Sequence, residues 1–169
     1  AIAMQGYRQS EARLGETAVI IGLGLVGQLL VQILRAAGVN VVGLDPSADR
    51  CRLAEQSGAA ACRPPDPASR GPVLEALAAL TDGAGADHIF LTAGGDTNQP
   101  VELAAELARD RARVVDIGKC RLDLPWTEYY AKELDVRFSR SYGPGRYDPT
   151  YEEDGVDYPI GHVRWTERR

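Results

Sequence analysis

The sequence predicts an α/β protein with a doubly wound, parallel, six-stranded sheet in the order 3-2-1-4-5-6, the Rossmann arrangement. Short β-branched apolar runs alternate along the chain with helical patterns, which is typical of a parallel sheet covered by helices on both faces. A glycine motif stands at the turn between the first strand and its helix. The length of 169 residues suits one domain with a full core.

The glycine motif follows the apolar run 18–21, which is too short for a helix and is typical of a strand buried on both faces. Gly22, Gly24 and Gly27 form a G-x-G-x-x-G that opens a helix over 25–35. The first glycine permits the tight turn, the second lets a pyrophosphate approach, and the third lets the helix lie close to the strand. The helix N-terminus then offers N–H groups and a positive dipole end to phosphates. The alternative interpretation is a glycine turn that only packs a helix on a strand.

An acidic residue follows at the spacing of a dinucleotide site. The second strand, 40–44, leads into Asp45, eighteen residues after Gly27. A carboxylate at this place accepts hydrogen bonds from the ribose hydroxyls of NAD, whereas the 2′-phosphate of NADP meets a like charge. The sequence therefore predicts NAD as the cofactor and NADP as the less favoured one. The alternative is a solvated turn aspartate before Pro46.

The other elements follow from hydrophobic period and turn residues. Helices are predicted over 2–13, 47–56, 73–80, 100–108 and 126–132, and strands over 59–62, 87–92, 113–117 and 134–138. Pro64, Pro65 and Pro67 make the stretch after the third strand a loop. Residues after 141 are turn-rich, acidic and aromatic, without a regular period. We therefore expect a nucleotide-binding domain over 1–141 and an irregular extension over 142–169 that packs on something else.

Composition and charge argue against several classes of protein. A formal net charge of −5 does not suggest the positive footprint of a nucleic-acid-binding protein. No apolar run has the length to cross a bilayer, and the first residues lack the features of a signal peptide. Cys51, Cys62 and Cys120 are odd in number and contain no C-x-x-C, so we expect small buried side chains in a reducing, cytoplasmic interior rather than a disulfide framework. With His88 and His162 they show no metal-ligand spacing, and no metal site is expected in this chain.

The run AIAMQGYRQSEARLGETAVIIGLGLVGQLLVQILRAAG resembles the nucleotide-binding domain of medium-chain, zinc alcohol dehydrogenase-like dehydrogenases. The likeness continues through GLDPSADR, GAGADHIFLTAGG and ARVVDIGK to KELDVRFSRSYGPG, and so covers most of the chain. The segment that follows resembles part of a subgroup of bacterial two-part oxidoreductases. The resemblance implies an NAD-dependent oxidoreductase whose catalytic domain, with any zinc, is missing from this chain. We therefore expect a piece of a longer protein that is inactive by itself.

The same resemblance implies which residues bind the cofactor. The glycine loop of the family corresponds to the three motif glycines together with Leu25 and Val26. The ribose acid is Asp45, and the basic residue near the adenosine is Arg50, which either stacks on adenine or lies in solvent. The residues implied to line the cofactor cleft beyond these are Thr92, Ala93, Ile117, Gly118 and the backbone of 136–138.

Two other functions stay open at this level, because no catalytic constellation is visible in the chain. A methyltransferase-like domain that binds S-adenosylmethionine also uses a glycine turn and an acid after the second strand, although Gly27 at helix-packing distance argues against it. A non-catalytic module that senses NAD(H) is the second alternative. Lys119, after the fifth strand, either reaches a phosphate or substrate or lies at the rim. The edge of the sixth strand, 134–138, is expected to template a homodimer.

Overall fold

The computed structural model describes residues 1–64, 66, 68, 70–166 and 168–169. The strands are β1 (Thr17–Ile21), β2 (Asn40–Leu44), β3 (Ala61–Arg63), β4 (Ala86–Leu91), β5 (Ala108–Asp116) and β6 (Asp135–Phe138). The helices are α1 (Ile2–Ser10), α2 (Leu25–Ala36), α3 (Ala48–Gln56), α4 (Arg70–Thr81), α5 (Gln99–Leu107), α6 (Trp126–Ala131) and α7 (Pro149–Glu152).

The six strands form one sheet in the order β3-β2-β1-β4-β5-β6, and every pairing is parallel. This confirms the predicted fold class and strand order. The direction of winding reverses between β1 and β4, which pair in register from Ala18 opposite His88 to Ile21 opposite Leu91. A doubly wound sheet leaves a crevice at such a reversal, at the carboxyl ends of the strands. The fold therefore places its binding crevice directly after β1.

Two layers of helices bury the two faces of the sheet. On one face, α1, α2 and α3 cover a core that contains Ala18 and Ile20 of β1. On the other, α4, α5 and α6 cover a core that contains Val19 and Ile21. All five residues of β1 are buried, as expected for a β-branched run whose alternate side chains enter two cores. The crevice thus follows a strand that is buried along its whole length.

Several element bounds differ from the prediction for local reasons. α1 ends at Ser10 rather than at 13, because the chain turns through a left-handed conformation at Glu11, with φ of 53°. β5 starts earlier than predicted, at Ala108, since it gains an extra pairing with Ala86 at the irregular start of β4. Pro65 and Pro67 of the predicted proline loop lie outside the described residues.

The expectation that the cysteines are unpaired was wrong for two of them. Cys51 of α3 and Cys62 of β3 form a disulfide, with Cα atoms 5.1 Å apart, and both side chains are buried. The two cysteines meet because the chain returns from α3 to the neighbouring strand β3. They are 11 residues apart, so a search for C-x-x-C does not find the pair. Cys120 is free and half-buried.

The extension after β6 is less irregular than expected. It contains α7, and Tyr151 of that helix is buried against Gly145 and the ring of Tyr158, whose centroid is 5.5 Å away. Gly143 packs against the side chain of Gln5 in α1. The extension therefore contacts α1 of the same chain, while its separation as a second unit stays a prediction. Within the described residues, no helix combines the length and apolarity that crossing a membrane requires.

Candidate functional site

A cavity of about 310 Å³ opens at the reversal point of the sheet. Its walls come from the turn after β1, the end of β2, the turn after β4 and the start of α5. The lining residues are Ile21, Gly22, Gly24, Leu44, Asp45, Pro46, Arg50, Thr92, Ala93, Gly94, Thr97, Gln99, Pro100 and Leu103. Six of the residues predicted from the sequence thus lie together around one cavity: Gly22, Gly24, Asp45, Arg50, Thr92 and Ala93.

The glycine turn has the geometry that its motif predicts. Gly22 has φ of 101°, a left-handed conformation, and a Cβ there would lie 2.6 Å from the Ala93 nitrogen. A Cβ at Gly27 would overlap the carbonyl oxygen of Gly22, so α2 lies against the turn as closely as the backbone permits. A Cβ at Gly24 would instead meet open space. The turn is therefore tight on its protein side and open on its cavity side, where a phosphate could approach the backbone.

The start of α2 directly follows Gly24, the residue on this open side. Gly24 is the N-cap of a 12-residue helix whose first turn carries no acidic residue. The first N–H groups of a helix have no partner within it and carry a partial positive charge. Leu25 and Val26 belong to this first turn, but neither side chain lines the cavity, and Leu25 is exposed. The role of these two residues in cofactor binding stays a prediction.

Asp45 is almost completely buried, at 2% exposure, although it lines the cavity. Its Oδ2 accepts a hydrogen bond from the Leu23 N–H at 2.7 Å, and its Oδ1 accepts one from the Ser47 N–H at 2.8 Å. A carboxylate has about four acceptor positions, so these bonds leave capacity for a ligand hydroxyl. The carboxylate thus holds the glycine turn and the start of α3 together while it faces the cavity.

Arg50 is exposed and lies near Asp45, whereas its stacking on adenine stays a prediction. Its Nη1 lies 3.4 Å from Oδ2 of Asp45, while 56% of the side chain is exposed. This exposure and the long distance make the ion pair a weak one that a ligand can rearrange. The backbone carbonyl of Arg50 is held more firmly, because it accepts a hydrogen bond from Nε2 of Gln28 at 2.8 Å.

The end of β4 is joined to the glycine turn by the backbone. The N–H groups of Thr92 and Ala93 both donate to the carbonyl oxygen of Ile21, each at 2.9 Å. The Thr92 hydroxyl lies 3.1 Å from the same oxygen and also contacts the carbonyl oxygen of Gly22. Thr92 therefore fixes the wall of the cavity rather than offering a free hydroxyl proton to it.

Ile117 and Gly118 lie at the end of β5 but do not line the cavity. The side chain of Ile117 packs on Gly6 of α1, with its Cδ1 where a Cβ of that glycine would be. A Cβ at Gly118 would overlap the carbonyl oxygen of Ala93, so this glycine permits the two strand ends to meet. The cleft-lining role implied for these two residues stays a prediction.

Several cavity residues were missed by sequence reasoning: Ile21, Leu44, Pro46, Gly94, Thr97, Gln99, Pro100 and Leu103. Pro100 and Leu103 share a face of α5 because they are three residues apart on the helix. A second glycine-rich turn, with Gly94 and Gly95, follows the fourth strand in the sequence. This turn was the feature from which the cavity wall at the end of β4 could have been predicted.

Cys120, which follows β5, is not suited to nucleophilic chemistry. Burial, together with the nearby Asp116 carboxylate, raises the pKa of the Cys120 thiol to about 11. Burial also raises the pKa of Asp116, although the hydrogen bond from Cys120 opposes this shift. Cys51 and Cys62 are bonded to each other, and the described residues contain no group of three metal-ligating side chains. A zinc ion does not fit the part of the chain that the structure describes.

Comparisons with known proteins agree with this geometry. A family model described as zinc-binding dehydrogenase matches residues 26–153. D-guloside 3-dehydrogenase of Escherichia coli is 40% identical over 93 residues, which are 54% of this chain and 26% of that protein. The 2-dehydro-3-deoxy-L-galactonate 5-dehydrogenase of Pseudoalteromonas atlantica is 26% identical over 153 residues, which are 87% of this chain and 42% of that protein.

Solved structures give the same result. A zinc-binding dehydrogenase of Sinorhizobium meliloti, crystallised with NADP, superimposes with a TM-score of 0.72 at 28% identity. The match covers 93% of this chain and 47% of that one. The chain thus spans less than half the length of each of these proteins.

Proposed function

The chain belongs to the zinc-binding dehydrogenase family, and we propose that it is the NAD(H)-binding domain of a medium-chain dehydrogenase whose catalytic domain lies outside this chain. The observation that carries the proposal is the single cavity that joins the glycine turn, Asp45 and the end of β4. These three features lie at the reversal point of a doubly wound sheet, where such folds bind dinucleotides. The family match supports a dinucleotide over S-adenosylmethionine.

The residues around the cavity fit a bound dinucleotide and have distinct tasks. The open side of Gly24 and the amides of the α2 N-terminus receive the pyrophosphate, and Asp45 accepts hydrogen bonds from the adenosine ribose. Nicotinamide supplies the hydride chemistry when it is bound, and the protein supplies binding and orientation. Within the chain, the bonds of Thr92 and Ala93 to Ile21 keep the cavity walls in place.

The reacting group we propose is a hydroxyl of a carbohydrate or polyol. Two relatives bear the names of dehydrogenases for a guloside and a deoxygalactonate derivative, which supports this substrate class. Because the chain spans only part of those proteins, we expect the substrate contacts and any zinc to come mainly from the missing domain. Assays of this chain alone with NAD and a panel of alcohols and polyols should show no turnover.

Titration of the chain with NADH, NADPH and S-adenosylmethionine tests the proposal, with nicotinamide fluorescence as the signal for the first two and calorimetry for all three. We expect NADH to bind most tightly and S-adenosylmethionine not to bind. Tight binding of S-adenosylmethionine alone would replace the proposal with a methyltransferase-like function. Binding of NADH by a full-length parent protein that lacks any dehydrogenase activity would support a sensor instead.

We also propose that two copies associate through the edge of β6. This strand is the last in the sheet, next to β5, and Phe138 at its end is 65% exposed. An exposed apolar residue on an unpaired strand edge favours association with another chain. Sedimentation at several concentrations should show a dimer that Phe138→Glu dissociates, and a strict monomer at high concentration would contradict this proposal.

A cytoplasmic location is the last part of the proposal. It follows from the expected NAD-dependent metabolism, and it requires Cys51 and Cys62 to be reduced in the cell, since structural disulfides are rare there. Alkylation of thiols at the moment of cell lysis, followed by mass spectrometry, measures their state. An intact bond in such samples would argue for an oxidising compartment.

A further inference from the structure

A shallow depression lies beside the cofactor cavity, between the loops that follow β4 and β5. Gly95 and Asp96 line it from the first loop, and Lys119, Cys120 and Arg121 line it from the second. The Gly95 N–H donates to the carbonyl oxygen of Lys119 at 3.1 Å. This bond joins two residues that line the depression, one from each loop.

A second pair of hydrogen bonds joins the same loops at their far ends. Nδ2 of Asn98 donates to the carbonyl oxygen of Asp123 at 2.7 Å, and the Asp123 N–H donates to Oδ1 of Asn98 at 3.0 Å. A loop pair tied at both ends is a preformed surface rather than two independent segments. Such preorganisation lowers the entropic cost of binding a ligand there.

The depression adjoins the cofactor cavity. Gly94 lines the cavity, and the next residue, Gly95, lines the depression. A Cβ at Gly94 would be 3.8 Å from the carbonyl oxygen of Lys119. A molecule in the depression would therefore lie next to a dinucleotide in the cavity, at the ends of β4 and β5 and away from β2, where Asp45 receives the adenosine ribose.

The charges in the depression are unequally satisfied. Arg121 is paired with Asp123, with its Nε 2.6 Å from Oδ2. In the described part of the chain, neither the Lys119 ammonium nor the Asp96 carboxylate makes an ion pair or a hydrogen bond, and both residues are exposed. The depression thus presents one cation and one carboxylate, both available to a ligand.

We propose that this depression is a substrate subsite for a hydroxylated organic anion, a sugar or polyol that carries a phosphate or carboxylate. Lys119 pairs with the anionic group, and Asp96 accepts hydrogen bonds from hydroxyls of the same molecule. A neutral polyol satisfies only Asp96 and inorganic phosphate only Lys119, so a molecule that carries both groups is preferred. The inference deepens the proposed function and rests on it for the position of the dinucleotide.

The test is titration of the isotope-labelled chain, with and without NADH, followed by amide NMR signals. The probes are D-glucitol 6-phosphate, D-gluconate, D-glucitol and inorganic phosphate, and the first two separate a phosphate from a carboxylate preference. We expect at least one of these two to bind more tightly than both D-glucitol and inorganic phosphate, and to shift the amides of Gly95 and Lys119. Lys119→Gln should weaken that binding about fivefold, as for one exposed ion pair. Asp96→Ala should reduce the advantage of the hydroxylated anion over inorganic phosphate.

Arg13→Gln is the matched control, because it removes the same charge from an exposed residue at the amino ends of the strands. Equal binding of the anionic probe by the wild type and Lys119→Gln would overturn the proposal, as would shifts confined to another surface. Equal affinity for inorganic phosphate and the hydroxylated anions would overturn the part assigned to Asp96. NADH is titrated separately. If the wild-type chain binds the anionic probe but does not bind NADH, the result counts against the proposed function and not against the subsite.

Discussion

The strands β1 and β6 show how differently one sheet is stabilised at its centre and at its edge. All five residues of β1 are buried between two helical layers. None of the four residues of β6 is buried, and Phe138 is largely exposed. Arg113 of β5 instead pairs with Asp135 of β6 at 2.8 Å, directly across the strand pair. Apolar burial thus stabilises the centre, and charged side chains contribute at this edge.

The cofactor cavity starts from the buried centre, and the difference between the regions explains why. A binding turn must keep its backbone within a fraction of an ångström, and close packing resists such displacements. An edge stabilised by partly exposed ion pairs gains little free energy from each pair and stays sensitive to salt and pH. Substitutions at the centre of the sheet should therefore lower the free energy of unfolding more than substitutions at its edges.

The largest effect is expected at Gly27. Gly27→Ala places a Cβ on the carbonyl oxygen of Gly22, and neither backbone segment can yield cheaply. We expect a loss of about 3 kcal/mol in the free energy of unfolding, measured by urea denaturation, because overpacking of this kind moves the backbone. NADH binding should be lost with the altered turn.

Gly24→Ala is the control for that variant, because its Cβ would meet open space on the cavity side. The N-cap preference of glycine over alanine sets the expected stability loss at about 1 kcal/mol or less. Its NADH affinity should nevertheless fall, since the new methyl group occupies the approach to the turn. If Gly24→Ala destabilises the fold as much as Gly27→Ala does, close packing at Gly27 is not the reason for its effect.

The Cys51–Cys62 disulfide joins the opposite edge strand, β3, to α3 and should give the next effect. It closes a loop with a sequence separation of 11, for which chain entropy predicts about 2–3 kcal/mol of stabilisation. Cys51→Ala should lose this amount under oxidising conditions, and dithiothreitol should bring the wild type close to the variant. Thiol titration in denaturant checks the pairing, with Cys120 as the expected free thiol.

Asp45 tests whether the buried centre also determines cofactor choice. The wild type should favour NADH over NADPH by about 2–3 kcal/mol, the cost of lost hydrogen bonds to a charged group, or roughly 30- to 150-fold in affinity. Asp45→Ala should weaken NADH binding and reduce the difference in affinity between NADH and NADPH. Thermal unfolding of the variant must also be measured, because the Asp45 carboxylate accepts hydrogen bonds from the N–H groups of Leu23 and Ser47 and its loss can destabilise the fold. A wild type that binds NADPH as tightly as NADH would make the assignment of Asp45 wrong.

The smallest effect is expected at the β6 edge, where Glu11 accepts hydrogen bonds from Arg137 at 2.8 Å and from Arg113 at 3.0 Å. The hydrogen bonds from Arg137 and then Arg113 hold the pKa of Glu11 below its usual value. A depressed folded-state pKa stabilises the fold above the ordinary glutamate range, and this contribution is lost as the pH falls through the folded pKa. Thermal unfolding should show a small deficit for Glu11→Gln at neutral pH that disappears in acid.

Glu133→Gln is the comparison for Glu11, because its partner Arg111 is 79% exposed and screening by water is strong. That variant should unfold at the wild-type temperature across the same pH range. A deficit for Glu11→Gln that grows in acid would reverse the assigned sign of the Glu11 contribution.

The sequence by itself determined the features that depend on neighbours along the chain. The turn through Gly22, Gly24 and Gly27 could be predicted because the reason for a glycine at each position lies within one strand-turn-helix unit. The run before it predicted a strand buried on both faces, since only such a strand is apolar at every position. The position of Asp45 at the end of the second strand follows from the length of one β-α-β unit, and so it could also be predicted.

Only the tertiary structure decided which distant segments meet and which way their side chains point. Pro100 and Leu103 reach the cavity because α5 packs against the end of β4 across the reversal point. Ile117 faces α1 instead of the cavity, because its side chain packs on Gly6. Cys51 and Cys62 meet because α3 returns alongside β3. The physical reason is common to all three: contacts between segments depend on packing in three dimensions, which no spacing along the chain records.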